Sequence, residues 1–291
     1  MIICLLPASS RAAALKLAVV LSEQEGAYLE YSNALEKLLV NKSVTLTVTD
    51  ADKPLPDADL VIAAGMKAFI IVARAKPAAM LAVLVPKEGA GKLLNEFPAL
   101  AKSDSNTFSA IYLDQPVRRQ LDLIAAVLPR VRSIGVMYST PPKELGALRT
   151  KAAERKFELN ERSVASSSAL HTALQTLLLS SDVLLALPDA EIYNASTIRN
   201  ILLATYRNKV PLIGFSSGYV KAGALCAVFS TPEQIAWQSA NIVQEYIETR
   251  VLPSAQYPKQ FEVSINEQVA RSLALNIKSA AEVRDEIGIT P

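Results

Sequence analysis

The chain has 291 residues, 51% hydrophobic and 20% charged, enough to bury one large core or two ordinary ones. Thirty basic and 28 acidic residues lie scattered along it, a formal net charge of +2 without the dense Lys/Arg clusters that track a phosphate backbone, so nucleic acid is not expected as a partner. Charged residues interrupt every apolar run in the body of the chain well short of the roughly 18 residues a membrane span needs.

Met1 to Ala14 (MIICLLPASSRAAA) joins a short apolar run to a Pro-Ser-Ser break and small residues of the kind a signal peptidase accepts. It reads as an export signal, residues 1–14, with a short apolar centre and no basic segment after Met1. A periplasmic location is expected from it, the alternative being a disordered start on a cytoplasmic protein. Cys4 would leave with the signal, leaving Cys226 alone and no internal disulfide.

From Leu15 to Phe229 apolar, β-rich runs alternate with patterns of period near 3.6, the mark of βαβ units and parallel sheets. Leu17–Leu21 reads as a strand, and Tyr28, Tyr31, Leu35, Leu38 and Leu39 as one face of a helix. Strands follow at Val44–Val48, Leu60–Ala63 and Met80–Val85, with a helix over Met66–Ala75 and a short one opening at Gly91. Thr107–Gln115 predicts a strand ending before Pro116, and Val117–Leu128 a helix stopped by Pro129. The plan then repeats, with strands at Ser133–Tyr138, Glu158–Val164, Val183–Leu187, Leu212–Phe215 and Leu225–Phe229, and helices over Lys143–Lys156, Leu170–Leu179 and Ile192–Tyr206. A long helix runs from Pro232 to about Arg250, Phe261–Ile265 alternates as an edge strand, and Asn266–Leu275 closes as a short helix. The expected fold is α/β: two doubly wound parallel-sheet lobes, 15–115 with 231–253 and 116–230 with 254–291, joined by a multi-strand hinge.

Gly214-Phe215-Ser216-Ser217-Gly218 satisfies G-x-S-x-G after a strand, where a hydrolase exposes its nucleophile. A serine nucleophile needs a base, which in that fold follows it in sequence, and the single histidine, His171, lies upstream on a helix. A glycine-flanked loop lining a ligand cleft is the plainer reading, with catalytic residues none. One histidine and one retained cysteine cannot build a zinc or copper site, and neither G-x-G-x-x-G nor G-x-x-x-x-G-K-[ST] occurs, so neither metal nor cofactor is expected. Trp237 reads as packing on its helix. What accumulates at strand ends, where open α/β sheets bind ligands, is Ser22, Glu23, Gly65, Tyr138, Ser139, Asp189, Tyr193, Asn194, Ser216 and Ser217, a set suited to holding a small solute by hydrogen bonds and aromatic contact.

Leu128-Pro129-Arg130-Val131-Arg132-Ser133-Ile134-Gly135-Val136-Met137-Tyr138, Leu187-Pro188-Asp189, Val210-Pro211-Leu212-Ile213-Gly214-Phe215, Val220-Lys221-Ala222-Gly223-Ala224-Leu225 and Phe261-Glu262-Val263-Ser264-Ile265-Asn266 form an ordered series that resembles the ABC transporter substrate-binding proteins. Their better-studied relatives bind aromatic amino acids on the type I periplasmic-binding fold (periplasmic binding protein-like I). The chain departs from the family at Ala63-Ala64-Gly65-Met66, where a threonine is usual, at Val85-Pro86-Lys87-Glu88, and at Ser216-Ser217-Gly218, where an acidic residue is common. The resemblance implies a binding protein that takes a small organic solute, amino-acid-like in those relatives, into an interlobe cleft and delivers it to an ABC permease in the inner membrane. Two other classes stand beside this reading: a serine hydrolase using Ser216, and a sensory or scaffold protein of the same fold.

Overall fold

The computed structural model describes residues 14–40, 42–100 and 106–288. The expected export signal lies, apart from Ala14, outside the described residues. Strand β1 (Leu15–Leu21) is buried at every position but Lys16, as a strand covered by helices on both faces must be. Strands β3 (Leu60–Ala64) and β4 (Met80–Val85) are buried throughout, whereas β2 (Val44–Asp50) is mostly open. With β5 (Phe108–Tyr112) they form one sheet in the order β2-β1-β3-β4-β5, in which β1 runs parallel to both β2 and β3.

Helix α1 (Gly26–Leu39) buries Tyr31, Ser32, Leu35 and Leu39. Leu38, expected on that face, is exposed, because at 100° per residue it falls at the edge of the arc those four define. Helix α2 (Met66–Ala75) and strand β4 have the limits their periodicity predicts. Helix α3 (Lys87–Glu96) begins four residues before Gly91, and the oxygen that receives its first N–H belongs to a distant residue, Asp114.

The second sheet repeats the order and adds one strand. It is built from β6 (Ser133–Tyr138), β7 (Glu158–Ser163), β8 (Val183–Leu185), β9 (Leu212–Gly214), β10 (Cys226–Phe229) and β11 (Glu262–Ile265), arranged β11-β10-β9-β8-β6-β7. Its neighbouring strands all pair in parallel except β10 and β11, so β11 is the expected edge strand. Side chains alternate across the sheet with period 2. Ile134, Val136, Tyr138, Val183 and Leu185 pack into one layer with Leu121 and Ile124 of α4 (Val117–Val127) and Leu148 of α5 (Leu145–Glu154). Met137, Leu184 and Leu212 pack into the other with Leu174 and Leu177 of α6 (Ser167–Ser180) and Ile201 of α7 (Ile198–Arg207).

Three local departures have local causes. Helix α7 starts six residues after Ile192, since the Asn194 carboxamide oxygen accepts the Ser196 N–H and hydroxyl and Thr197 Oγ1 donates to the Ile192 carbonyl, closing turns that compete with the helix. Helix α8 (Ser217–Ala222) occupies what reads as a loop, and stops at Gly223 in positive φ. After α9 (Pro232–Thr249) and α10 (Glu267–Ser272), helix α11 (Ala280–Gly288) is additional. It is announced by a capping box: Ser279 N–H donates to Glu282 Oε2 (2.8 Å) and Glu282 N–H to Ser279 Oγ (3.3 Å).

By contacts the chain divides into two compact units, one of Met1–Leu84, Leu93–Ile111 and Ala236–Ala255 holding the first sheet, the other of Val85–Lys92, Tyr112–Ile235 and Gln256–Pro291 holding the second. Val283 and Ile287 of α11 belong to the core of the second unit. Ser279→Ala removes one arm of the box and should therefore cost about 1 kcal/mol in urea unfolding of the full chain, with the secondary-structure signal of the native state unchanged.

Candidate functional site

In the order β2-β1-β3-β4-β5 the chain leaves β1 and β3 toward opposite faces, and the crevice outside their carboxyl ends is where open α/β sheets hold ligands. Ser22 follows β1 directly. Its N–H donates to the Ala64 carbonyl (2.9 Å) and its Oγ accepts the Ala68 N–H (3.0 Å), fastening the first turn of α2 to the end of β1. Gly65, at φ 91°, lies against the same serine and Tyr28: a Cβ here would come 2.5 Å from Ser22 Oγ and 2.6 Å from Tyr28 Cε1. Burial, then the charge of Glu23, raises the Tyr28 hydroxyl above its ordinary pKa. Ser22 and Gly65 are thus brought together, with Glu23 exposed beside them. Tyr28 is the member that sequence reading assigned to a helix face and not to the site.

The equivalent edge of the second unit lies at the ends of β6 and β8. Asp189 Oδ2 accepts both the Ser139 N–H (2.7 Å) and the Ser139 hydroxyl (2.8 Å), while Oδ1 accepts the Glu191 N–H (3.0 Å). This carboxylate ties the two switch-point loops together. Tyr138 is turned into the α4/α5 layer, its hydroxyl donating to Glu161 Oε2 (3.1 Å); Arg149 clamps that carboxylate at 2.7 and 2.8 Å and holds it below the usual glutamate range. Asn194 is engaged by its own turn, donating to the Ala190 carbonyl.

Tyr193 is buried, with its ring edge-on to Phe215 at 6.3 Å between centroids; Phe215 in turn lies 4.4 Å from Tyr219, whose hydroxyl donates to the Tyr193 carbonyl. The Tyr193 hydroxyl has no hydrogen-bond partner among the described residues. Ser216 and Ser217 follow β9 at the start of α8, and the Ser216 side chain makes no cap bond. No hydrogen bond joins Ser216 to His171, which is exposed on α6. Among the described residues no group of three or more His, Cys, Asp or Glu side chains is placed to hold a metal ion, and burial pushes the Cys226 thiol far above its ordinary pKa.

Beside these loops lies a pocket lined by Pro86, Asp114, Gln115, Pro188, Phe215 and Val228, none of them singled out by sequence, although Pro188 and Phe215 each precede a residue that was. Its rim carries a compact charge network. Lys87 Nζ donates to Glu144 Oε1 (2.7 Å) and to the Tyr257 hydroxyl (2.9 Å), and lies 4.7 Å from the centre of the Tyr257 ring; that hydroxyl is itself bonded to Glu144 Oε1. The Lys87 backbone N–H, not its ammonium, reaches Asp114 Oδ2 (2.6 Å). Burial is the largest cause raising the Asp114 pKa, and the charge of Glu144 adds to it. Leu84, the penultimate residue of β4, has a positive φ of 54°.

Residues 57–285 match the family described as ABC transporter substrate binding protein. A tyrosine-binding protein of Clostridioides difficile (strain R20291) is 24% identical over 174 residues, 58% of this chain and 50% of that protein, so the chain spans about half the length of the curated relative it matches. A ligand-free, open substrate-binding protein with adhesive properties from Clostridium difficile has a similar structure (TM-score 0.72, 19% identity, 91% of this chain and 96% of that one). So does a conserved domain protein of Vibrio cholerae (0.65, 22%, 93% and 98%) and an ABC domain from Streptococcus pneumonia in complex with L-Trp (0.65, 15%, 93% and 98%). The last three likenesses are of fold, the type I periplasmic-binding plan.

Two outcomes follow from this geometry. Gly65→Ala forces a Cβ into Ser22 and Tyr28 at a backbone angle that L side chains avoid, and should destabilise by roughly 1–3 kcal/mol in urea unfolding. Because the folded Glu161 pKa is depressed, its contribution is present above the unfolded value of about 4.3 and lost as pH falls through the folded one. The acid-side fall in Tm of the wild type should accordingly be shallower in Glu161→Gln, which scanning calorimetry at pH 3 to 6 measures.

Proposed function

The chain belongs to the ABC transporter substrate-binding protein family, and on that premise we propose that it is the extracytoplasmic, periplasmic receptor of an importer, capturing a small amino-acid-like solute and presenting it to an inner-membrane ABC permease without chemical change. The observation that carries this reading is the family match, which takes in β3, β4 and β5 of the first sheet and all of the second. The relative named for tyrosine binding supports an amino-acid-like solute. In this reading the candidates for solute contact are the carboxyl-edge residues Ser22, Glu23 and Gly65 of the first unit and Ser139, Asp189, Asn194, Ser216 and Ser217 of the second, each set taken by itself, while Tyr138 and Tyr193 pack into the cores. Hydrogen-bonding groups already fixed by Asp189 and Ser22 cost little to order, which favours affinity. The solute biases the receptor toward the conformation the permease recognises by as much as its contacts favour that conformation.

Binding of this kind must stabilise the fold. At a solute concentration a hundredfold above Kd the gain is roughly 2.7 kcal/mol, a rise of several degrees in Tm. A thermal-shift screen across amino acids, amines, nucleosides, sugars and organic acids should find one class that raises Tm and is recovered chemically unchanged, from wild type and from Ser216→Ala alike. A panel in which nothing shifts Tm, or a solute consumed by wild type and spared by Ser216→Ala, would refute the reading.

A further inference from the structure

Asp114 stands out among the groups at the pocket because, among the described residues, it has no ion-pair partner: the Lys87 ammonium acts on it only from a distance, more weakly than the opposing charge of Glu144. Gln115 donates to Ser230 Oγ (2.9 Å) and accepts from Arg119 (2.6 Å), and Gln120 donates to the Gln115 carbonyl (2.9 Å), so the other polar side chains here are committed. The ammonium of Lys87 is held by Glu144 and Tyr257. Arg119 is spent on Gln115, on the Pro258 carbonyl (3.1 Å) and over the Phe261 ring (4.2 Å). Among the described residues no ion pair includes Asp114. Its carboxylate accepts backbone N–H groups alone and keeps lone pairs to spare. The rest of the lining is apolar: Pro86, Pro188, Phe215 and Val228.

A partly buried carboxylate without a cation is costly, and a bound group of opposite charge relieves the cost. An anion would face Asp114 and, close behind it, Glu144. Resting on the reading of the chain as a solute receptor, we propose that Asp114 selects the charge of the solute, which is an organic ammonium with an apolar or aromatic body: the ammonium is required and a carboxylate on the solute is not. The raised pKa of Asp114 agrees with this, since it reports how poorly the empty site supports the charged form.

The test uses the full chain and three probes with one ring: tyramine, L-tyrosine and 3-(4-hydroxyphenyl)propionate, measured by titration calorimetry at constant ionic strength. Tyramine and L-tyrosine should bind, and the propionate should be at least about tenfold weaker; Asp114→Asn should weaken tyramine by a similar factor, the loss of one charge-assisted contact. A readout on wild type needs no variant. Burial raises the Asp114 pKa, so lowering the pH from 8 to 4 shifts Asp114 toward its neutral form while the amine stays charged, and the Kd for tyramine should rise. The ionisable groups facing Asp114 are Lys87, Glu144, Tyr112 and Tyr257, and Glu144→Gln should keep this pH dependence. If Asp114 only caps α3, Asp114→Asn lowers the Tm of the empty protein but leaves the tyramine Kd within twofold, and the proposal fails. It fails also if the propionate binds as tightly as tyramine, or if neither amine binds. In that last case a sugar or organic acid that still raises Tm leaves the receptor reading standing, and no binding by any class removes both.

Discussion

A strand with parallel neighbours on both sides can be connected to them only by crossovers, and where the strand order reverses, at β1/β3 in one unit and β6/β8 in the other, the chain leaves the two strands toward opposite faces. This is the consequence of placing β1 between β2 and β3, and β6 between β7 and β8. Helices must then cover both faces, so strands such as β1, β3 and β4 are apolar at nearly every position. Polar chemistry is left with the carboxyl edge, where neighbouring loops part at the switch point.

The residues at that edge accordingly do structural work as well. Ser22 receives the Ala68 N–H, Asp189 receives the Ser139 N–H, and Asp114 receives the Lys87 N–H: in each case an oxygen from one strand-end loop satisfies an amide that begins the next segment. Each bond contributes about 0.5–1.5 kcal/mol, more where the acceptor is charged, but leaving any of these amides buried and unpaired would cost more. The binding edge is therefore preorganised by the same contacts that terminate its strands. The Tyr193 hydroxyl, buried without a partner, is the exception in an otherwise paired region.

What was legible in the sequence is what local signals determine. Met66–Ala75, Met80–Val85 and Ser133–Tyr138 have the limits their periodicity implies, and the repeated order of units follows from the alternation of strands and helices. The start of α7 was misplaced because Asx-type turns around Asn194 outcompete a helical pattern that hydrophobic spacing alone would extend. The Ser279–Glu282 capping box was written in the sequence and went unread, while the start of α3 could not have been read there: its cap, Asp114, is 27 residues away along the chain. The site residues divide the same way. Ser139 and Asp189 meet because both end adjacent strands, a relation topology predicts; Tyr138, one residue earlier, faces the core because side chains alternate along β6.

The segment after β4 shows why the remaining part of the site depends on tertiary contacts. Leu84 adopts a left-handed backbone that a branched-chain residue takes up at a cost of order 1 kcal/mol or more, and a chain bears such strain only where surrounding contacts over-determine it. The residues that follow are held from elsewhere in the sequence: Lys87 N–H on Asp114, Lys87 ammonium on Glu144 and Tyr257, and Lys143 N–H on Glu88. Three side chains and one backbone amide from separated parts of the sequence thereby hold the segment Val85-Pro86-Lys87-Glu88, which its local sequence alone would not place. Their arrangement also sorts the charges, since holding the lysine ammonium on Glu144 keeps it off Asp114. A lysine that reached Asp114 would pair it and leave Glu144 bare, so the unpaired charge would sit on Glu144 and not on the carboxylate that lines the pocket.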